Sequence, residues 1–385
     1  MIRDICVIGA GASGIFASIL LSKKGYNVIL IEKEKKIGKK ISITGNGKCN
    51  LANFNIDEVS YRSNLEYAKN ILKDFDANSL VRQLKEWGIG TYIKGDLLYP
   101  ITDSAKFLVE YFEKLLVENK VVLKLNENIV DIEKEEDVFL VKSETYTYKA
   151  KKVIISTGGI AGNVKDYNGY SLAEKFGHTI TPLYPALTKL KSNDIFMLKF
   201  PNIRIKSNVK LLVDNECIYD ENGEIQFLKN IISGIVIMQL SRYAICAIND
   251  NKKVKLVVDL LPNLSNDDIL EIVYNAKKQG KLGMEVFYGI LREDIVKILY
   301  DTEEKMIQKL KKFEININDY LGFEHAQVTM GGIVLDEVSN KNMESKFCKD
   351  LYFTGEILNI DGNCGGYNLL FAFSTASKVA NNIND

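Results

Sequence analysis

Gly9, Gly11 and Gly14, in the string Gly9-Ala10-Gly11-Ala12-Ser13-Gly14, stand at the spacing of a G-x-G-x-x-G turn. Such a turn holds a diphosphate on backbone N–H groups. The first glycine permits the tight bend, the second lets the backbone approach the phosphates, and the third lets a following helix pack closely on the preceding strand. An acid, Glu32, lies 18 residues beyond Gly14, where a carboxylate would accept hydrogen bonds from ribose hydroxyls. Ala12 and Ser13 inside the turn and Lys33 beside the acid belong to the same candidate set. Three further glycine-rich strings carry polar side chains: Thr44-Gly45-Asn46-Gly47-Lys48-Cys49-Asn50, Thr157-Gly158-Gly159, and Thr354-Gly355-Glu356 followed by Asp361-Gly362-Asn363-Cys364-Gly365-Gly366-Tyr367-Asn368.

These residues need elements to position them. Ile5-Cys6-Val7-Ile8 reads as a buried strand ending at Gly9. A helix is expected from about Gly14 to Lys24, and Val28-Ile29-Leu30-Ile31 reads as a second strand. Strand, glycine turn, helix and strand make a βαβ unit whose near-continuous apolar strands suit a parallel sheet covered on both faces. The context turns a weak motif into a specific one, with the positive end of the helix facing the diphosphate. Residues 65–87 and 103–118 carry helical periodicity, Val121-Val122-Leu123 reads as a third parallel strand, and residues 128–149 read as an antiparallel meander. Val153-Ile154-Ile155-Ser156 then leads into Thr157-Gly158-Gly159.

After Pro185 the texture changes. Residues 186–260 carry strand-like runs and an Asn222-Gly223 hairpin signal, and residues 265–313 read as helices opened by the capping box Ser265-Asn266-Asp267-Asp268. Near residue 320 the glycine-rich style returns. The expected architecture is α/β, a Rossmann-type dinucleotide-binding domain made of residues 1–185 and 320–385, with an inserted domain at 186–319.

FAD is favoured over NAD for three reasons. No second dinucleotide fingerprint exists, since Gly158-Gly159-Ile160-Ala161-Gly162 has the wrong spacing. A meander between a parallel strand and the Thr-Gly-Gly turn is foreign to a simple NAD dehydrogenase. A returning C-terminal segment with Gly355-Glu356 and a glycine-rich helix start would hold the part of a flavin cofactor that extends beyond the diphosphate.

The composition excludes several classes. In 385 residues, 50 Lys and Arg balance 50 Asp and Glu, so a chain-wide pull towards nucleic acid or anionic membrane is absent. No apolar run approaches a membrane span and the N-terminus reads as a strand, so a cytoplasmic protein is expected. The six cysteines (Cys6, Cys49, Cys217, Cys246, Cys348 and Cys364) contain no C-x-x-C pair, and His178 and His325 are the two histidines. Neither a metal site nor disulfide exchange is expected.

The strings at 44–50, 326–333 (Ala-Gln-Val-Thr-Met-Gly-Gly-Ile), 343–346 and 351–374 resemble the bacterial flavoproteins grouped as the BaiN-like or aminoacetone-oxidase-like family. With the fingerprint they span almost the whole chain. The resemblance implies a two-dinucleotide-binding flavoprotein fold with an inserted β-barrel-like and helical domain. It further implies that Gly9 to Gly14 hold the pyrophosphate and Glu32 the adenosine ribose. Val130 would meet adenine through its backbone, and Thr157, Gly158 and Gly159 would pass beside the diphosphate. Thr44, Gly45, Asn46 and Lys48 would lie along the flavin. Gly355 and Glu356, or Asp361, would serve the ribityl hydroxyls. Gly366, Asn368 and Leu369 would bring a helix N-terminus to the flavin N1/O2 edge. Relatives linked to enone reduction and to amine oxidation leave the reaction less defined than the cofactor.

Other residues have bland readings beside functional ones. Lys39 and Lys40 could reach a phosphate or form a solvated turn. Cys49 sits in the flavin-side loop with no second cysteine a few residues on, so it reads as a small packed residue rather than half of a thiol pair, and Cys364 lies near the proposed flavin edge, where a redox role is the lesser reading. His325 could line a pocket, His178 ends a helix, Tyr184 marks the junction of the two domains, and Arg242 could meet an acidic substrate or lie on a helix surface. The reading is an FAD-dependent oxidoreductase, with NADH or NADPH as soluble reductant of the flavin and a small enone-type substrate. An oxygen-using amine oxidase is the alternative, and a flavin-bearing RNA-modifying or regulatory protein is the more distant one. Neither a nucleic-acid partner nor a membrane is expected.

Overall fold

A computed structural model describes residues 1–383 apart from 163, 165 and 166. The chain forms two compact units, Met1–Tyr184 with Val328–Asp385, and Pro185–Gln327. The second crossing falls at Val328 rather than at residue 320. The reason is local: Asp319 and Tyr320 pair with Lys191 and Leu190, which binds that stretch to the inserted unit.

The first unit is built on β1 (Ile2–Ile8), α1 (Ala12–Lys23) and β2 (Val28–Ile31). Ile5 to Ile8 and all of β2 are buried, because this sheet is covered on both faces. A two-residue strand β3 (Ala52–Asn53) follows, then α2 (Leu65–Asp74) and α3 (Ala77–Glu86). The 65–87 stretch is thus two helices rather than one. Asp76 accepts from Ser79 N at 2.8 Å, and this cap, behind an extended Phe75, restarts the helix. The hairpin β4 (Thr91–Lys94) and β5 (Leu97–Pro100) leads to α4 (Ala105–Glu118) and β6 (Val122–Lys124).

The meander is β7 (Ile129–Glu135), β8 (Val138–Ser143) and β9 (Thr147–Ile155), before α5 (Gly169–Glu174) and β10 (Tyr184–Ala186). Its last strand does not stop at Lys149 but runs on through Ile155. One flank of β9 is shared: its first half pairs antiparallel with β8, and its second half pairs parallel with β19 (Leu351–Phe353), near the chain's end. The other flank lies parallel to β1, and the order is β6-β2-β1-β9 with β8-β7 beyond. After β18 (Val328–Met330), the last helix, α10 (Tyr367–Asn382), packs on α1. Between them Phe16 meets Phe75, Trp87 and Phe373 at 5.6, 4.8 and 5.0 Å between ring centroids. Burying this one ring is worth about 1.5–3 kcal/mol, which holds α1 rigidly under the turn it begins.

The inserted unit is a seven-stranded antiparallel sheet. Its strands are β11 (Leu190–Lys191), β12 (Ile203–Val213), β13 (Glu216–Leu228), β14 (Ile231–Ser233), β15 (Val254–Asp259), β16 (Phe313–Ile317) and β17 (Asp319–Tyr320). Residues 313–320 pair with β15 at one end of the order and with β11 at the other, so the sheet curls back on itself in barrel fashion. Helix α6 (Ile235–Asn249) covers it, followed by α7 (Asn266–Lys278), α8 (Glu293–Leu299) and α9 (Glu303–Lys311). The capping box forms as the spacing predicts, with Ser265 accepting from Asp268 N and Asp268 from Ser265 N. The hairpin signal misleads. Asn222 and Gly223 sit inside β13 opposite Asn208 and Ser207, and the turn is Asp214-Asn215, both at positive φ (49° and 72°). Gly223 makes room for the neighbouring helix, since a Cβ there would lie 3.1 Å from the Val236 Cβ.

Candidate functional site

The fingerprint turn is shaped by contacts that leave no space for side chains, except at one point. Gly9 stands at φ +98°, and a Cβ there would lie 2.7 Å from the Ser156 carbonyl. At Gly14 it would lie 1.9 Å from the Gly9 carbonyl oxygen. At Gly11 it would meet nothing within 4 Å. The turn is therefore closed towards the protein and open in front of Gly11, where the backbone that starts α1 faces outward, as a diphosphate cradle requires. Glu32 bends back to this turn: Oε2 accepts from Ala10 N at 2.6 Å and Oε1 from Glu34 N at 3.0 Å. Burial raises its pKa against these two amides, which lower it. A carboxylate has about four acceptor positions, so two backbone bonds leave capacity for ribose hydroxyls. Lys33, beside it, holds its Nζ 6.0 Å from the Tyr167 ring centroid.

A second group forms around Glu356. Its Oε2 accepts from Lys40 Nζ at 2.9 Å and its Oε1 from Thr329 N at 2.8 Å, while Lys40 also donates to the Gly159 carbonyl at 3.2 Å. Lys40 is thus drawn into an ion pair with Glu356. Gly159 must be glycine here, because a Cβ would lie 2.5 Å from Thr329 Oγ1. Thr157 and Gly158 lie against Tyr167, whose hydroxyl donates to the Gly158 carbonyl at 2.6 Å. Ser13, Ser156, Thr354 and Thr375 tie the adjoining elements together. Ser156 Oγ and Thr354 Oγ1 are 2.6 Å apart, and Gly355 N donates to Thr375 Oγ1 at 3.0 Å. A Cβ on Gly355, at φ +78°, would meet Ser13 Oγ at 2.7 Å.

The third group lies where α10 begins. Gly366 caps the helix at φ +94°, and a Cβ there would be 2.6 Å from the Ala52 backbone and 2.7 Å from Asn50 Oδ1. That Asn50 oxygen is buried without a hydrogen-bond partner, an arrangement that calls for a ligand donor. Asn368 pins the loop, accepting from Gly362 N at 2.7 Å and donating to the Gly362 carbonyl at 3.0 Å. Asp361 is buried, with its carbonyl accepting from Arg62 N, and Leu369 is half-buried. The preceding string is strained: Gly45, Asn46, Gly47 and Cys49 all have positive φ, and Thr44 Oγ1 donates to the Ile41 carbonyl at 2.7 Å.

Other residues fall elsewhere. Val130 is 46% exposed at a bulge where the β7–β8 register skips from Ile129 to Asp131. It therefore has no opposite residue in the ladder, which suits recognition through backbone groups. Lys48 is exposed and turns to Asp103, 3.3 Å away. His178 is buried, not merely at a helix end: Nε2 lies 2.7 Å from Ser345 Oγ and Nδ1 3.4 Å from Glu337 Oε2. His325 is half-exposed beside Glu324, Tyr184 is half-buried, and Arg242 lies half-buried on α6. Burial pushes the Cys49 thiol up to about 11 and raises that of Cys364. Sequence reasoning missed Thr329, Asn50 and Tyr99. Tyr99 stacks on Tyr92 (5.7 Å, 25°), directly opposite it in the hairpin, within electrostatic reach of Lys48, Asp103 and Cys364. Among the described residues no cluster of His, Cys, Asp and Glu could hold a metal ion, and no helix is long and apolar enough to cross a membrane.

The open backbone before Gly11, the Glu32 carboxylate and the orphaned Asn50 oxygen fit a dinucleotide that extends from the turn towards α10. Comparison with known proteins agrees. Residues 3–382 match the family described as HI0933-like protein Rossmann domain. The 3-dehydro-bile acid delta(4,6)-reductase of Clostridium scindens is 31% identical, covering 96% of each chain. The ribosomal RNA dihydrouridine synthase of Escherichia coli is 26% identical over 99% of this chain and 98% of its own. In fold, the 3-ketosteroid-delta4-(5alpha)-dehydrogenase of Rhodococcus jostii, solved with 4-androstene-3,17-dione, overlays with a TM-score of 0.51 at 10% identity, covering 98% of this chain and 96% of that one. The chain belongs to the HI0933-like Rossmann family, the group its motifs resemble, and is an FAD-dependent oxidoreductase.

Proposed function

We propose that this enzyme reduces a carbon–carbon double bond conjugated to a carbonyl in a small organic molecule, with NADH or NADPH as soluble reductant, in the cytoplasm. The observation that carries the reading is the similarity to a bile-acid delta(4,6)-reductase, 31% identical over 96% of each chain. When bound, FAD supplies hydride transfer, taking two electrons from the nicotinamide and passing them to the alkene. The chain's own work is to hold and tune it. The turn at Gly9, Gly11 and Gly14 would present backbone N–H groups to the diphosphate, and Glu32 would accept from the ribose hydroxyls. The Lys40–Glu356 pair lies against Gly158-Gly159, and the N-terminus of α10 at Gly366 would offer a positive dipole end to a bound flavin, which would favour its anionic reduced form.

A second reading has its own support. Ribosomal RNA dihydrouridine synthases from Escherichia coli and Haemophilus influenzae are 26% and 28% identical over nearly the whole chain. A uridine base also carries a double bond conjugated to a carbonyl, so the chemistry is shared and only the bearer differs. The balanced charge favours the small molecule. The deciding experiment supplies NADPH or NADH with a steroid-type enone in one reaction and with unmodified ribosomal RNA in another. A saturated ketone two hydrogens heavier supports the proposal. Dihydrouridine in the RNA, with the enones untouched, overturns it in favour of the second reading.

A further inference from the structure

Reduction of a conjugated alkene needs a proton as well as a hydride, and none of the groups that hold the dinucleotide is free to give one. Glu356 is tied to Lys40 and Thr329, and Glu32 is tied to the Ala10 and Glu34 amides at the fingerprint turn. A different set of side chains gathers beside the loop that opens α10. On β5, Leu97 and Tyr99 share one face while Leu98 is buried on the other. Leu97 Cδ2 lies 3.6 Å from where a Cβ on Gly365 would stand, and Asn53 Nδ2 donates to the Gly365 carbonyl at 3.0 Å. The Tyr99 face is therefore turned to the Cys364–Gly366 loop. From the side, Lys48 arrives at the end of the strained Thr44–Cys49 string and pairs with Asp103 at 3.3 Å. Tyr92 donates its hydroxyl to the same carboxylate at 2.5 Å and stacks on Tyr99.

We propose that Tyr99 is the proton donor to the conjugated substrate, with Asp103, Lys48 and Tyr92 positioning it; this rests on the enone-reductase reading above. The substrate's β-carbon gains hydride from the reduced cofactor, whose two electrons come from the nicotinamide. The alkene π pair moves onto the carbonyl as an enolate. The enolate's α-carbon then bonds the proton as the Tyr99 O–H bond breaks, and water returns a proton to the phenolate. Burial, Asp103 and Cys364 hold the Tyr99 phenol above its usual pKa against the ammonium of Lys48, so it stays protonated at neutral pH. Lys48 also offers a cation to the phenolate left behind. Among the described residues, the charged and titratable groups that act on Tyr99 are these three and Tyr92, with Lys94 near Asp103.

Tyr99→Phe keeps the ring that stacks on Tyr92 and removes only the hydroxyl. In the holoenzyme it should bind FAD fully and accept electrons from the nicotinamide within about twofold of the wild type, while reoxidation by an enone falls at least about a hundredfold. Flavin fluorescence gives a readout that needs no turnover. A tyrosine beside the flavin quenches it and a phenylalanine does not, so the variant's lifetime should lengthen. An unchanged lifetime overturns the placement of Tyr99, and reoxidation within about threefold overturns its donor role. A wild-type enzyme that no enone reoxidises sinks the substrate class, and the lifetime still decides where Tyr99 lies. Asp103→Asn removes an anion from the phenol, so the basic limb of the reoxidation pH profile should move to lower pH; an unmoved limb contradicts its positioning role.

Discussion

Two glycine-rich turns of the first unit, 9–14 and 44–49, have similar composition and opposite physics. In the first, Gly9 and Gly14 are glycines because the Ser156-Thr157 backbone just past β9, and the turn's own backbone, fill the space of a Cβ. In the second, the positive φ angles fall on Asn46 and Cys49 as well as on Gly45 and Gly47, and a Cβ on Gly47 would meet nothing. The first turn is close-packed and has one shape available. The second is held in an uncommon conformation by what surrounds it, as segments that line reacting groups often are. A motif is readable where sterics allow one residue type, and opaque where tertiary contacts choose the conformation.

The comparison can be broken most sharply at Gly14. Gly14→Ala forces its methyl against the Gly9 carbonyl, so it should destabilise the fold by roughly 3–5 kcal/mol and abolish FAD binding, read by thermal unfolding and flavin retention. Gly11→Ala should leave the unfolding midpoint nearly unchanged yet weaken FAD by at least about tenfold, or about 1.4 kcal/mol, because its methyl enters the ligand's space. Equal stability losses at the two positions would undo the distinction between closed and open sides of the turn. In the second turn, Asn46→Val should lose roughly 1–2 kcal/mol and Asn46→Gly should be neutral or slightly stabilising, measured by chemical denaturation.

Smaller effects test the surroundings. His178 is buried, and desolvation lowers its pKa more than Glu337 raises it. A depressed folded pKa means the unfolded chain binds the proton more readily. His178 therefore contributes stability above its unfolded pKa of about 6.5, and that contribution is lost as pH falls through 6.5 towards the folded value. Unfolding measured from pH 7.5 to 5.5 should show this slope reduced in His178→Gln. Finally, Cys49 is fully buried with its thiol pushed up to about 11, whereas Cys217 is exposed. Iodoacetamide near pH 8 should modify Cys217 and spare Cys49 until the protein unfolds; rapid labelling of Cys49 would revive thiol chemistry at the flavin.

Legibility followed the same division. The fingerprint turn, its βαβ context and the Ser265 capping box could be read because each is a local pattern with a single steric or hydrogen-bonding solution. Asn222-Gly223 misleads because a good turn pair can be overruled: Gly223 is kept small for Val236, and Asp214-Asn215 makes the turn. The extent of β9 was hidden because its two halves serve different neighbours, so no single period runs through it. The Lys40–Glu356 pair joins residues 316 apart in sequence, and Tyr99 comes within electrostatic reach of Cys364 only through the fold. Such contacts leave no trace in spacing.

The most direct test of the account is an anaerobic titration of the purified, FAD-loaded protein with NADH and NADPH, followed by a conjugated enone. The account predicts flavin absorption that bleaches with a nicotinamide and returns when the enone is added. A protein that takes up no flavin, or flavin that neither nicotinamide reduces but a primary amine does, would contradict it.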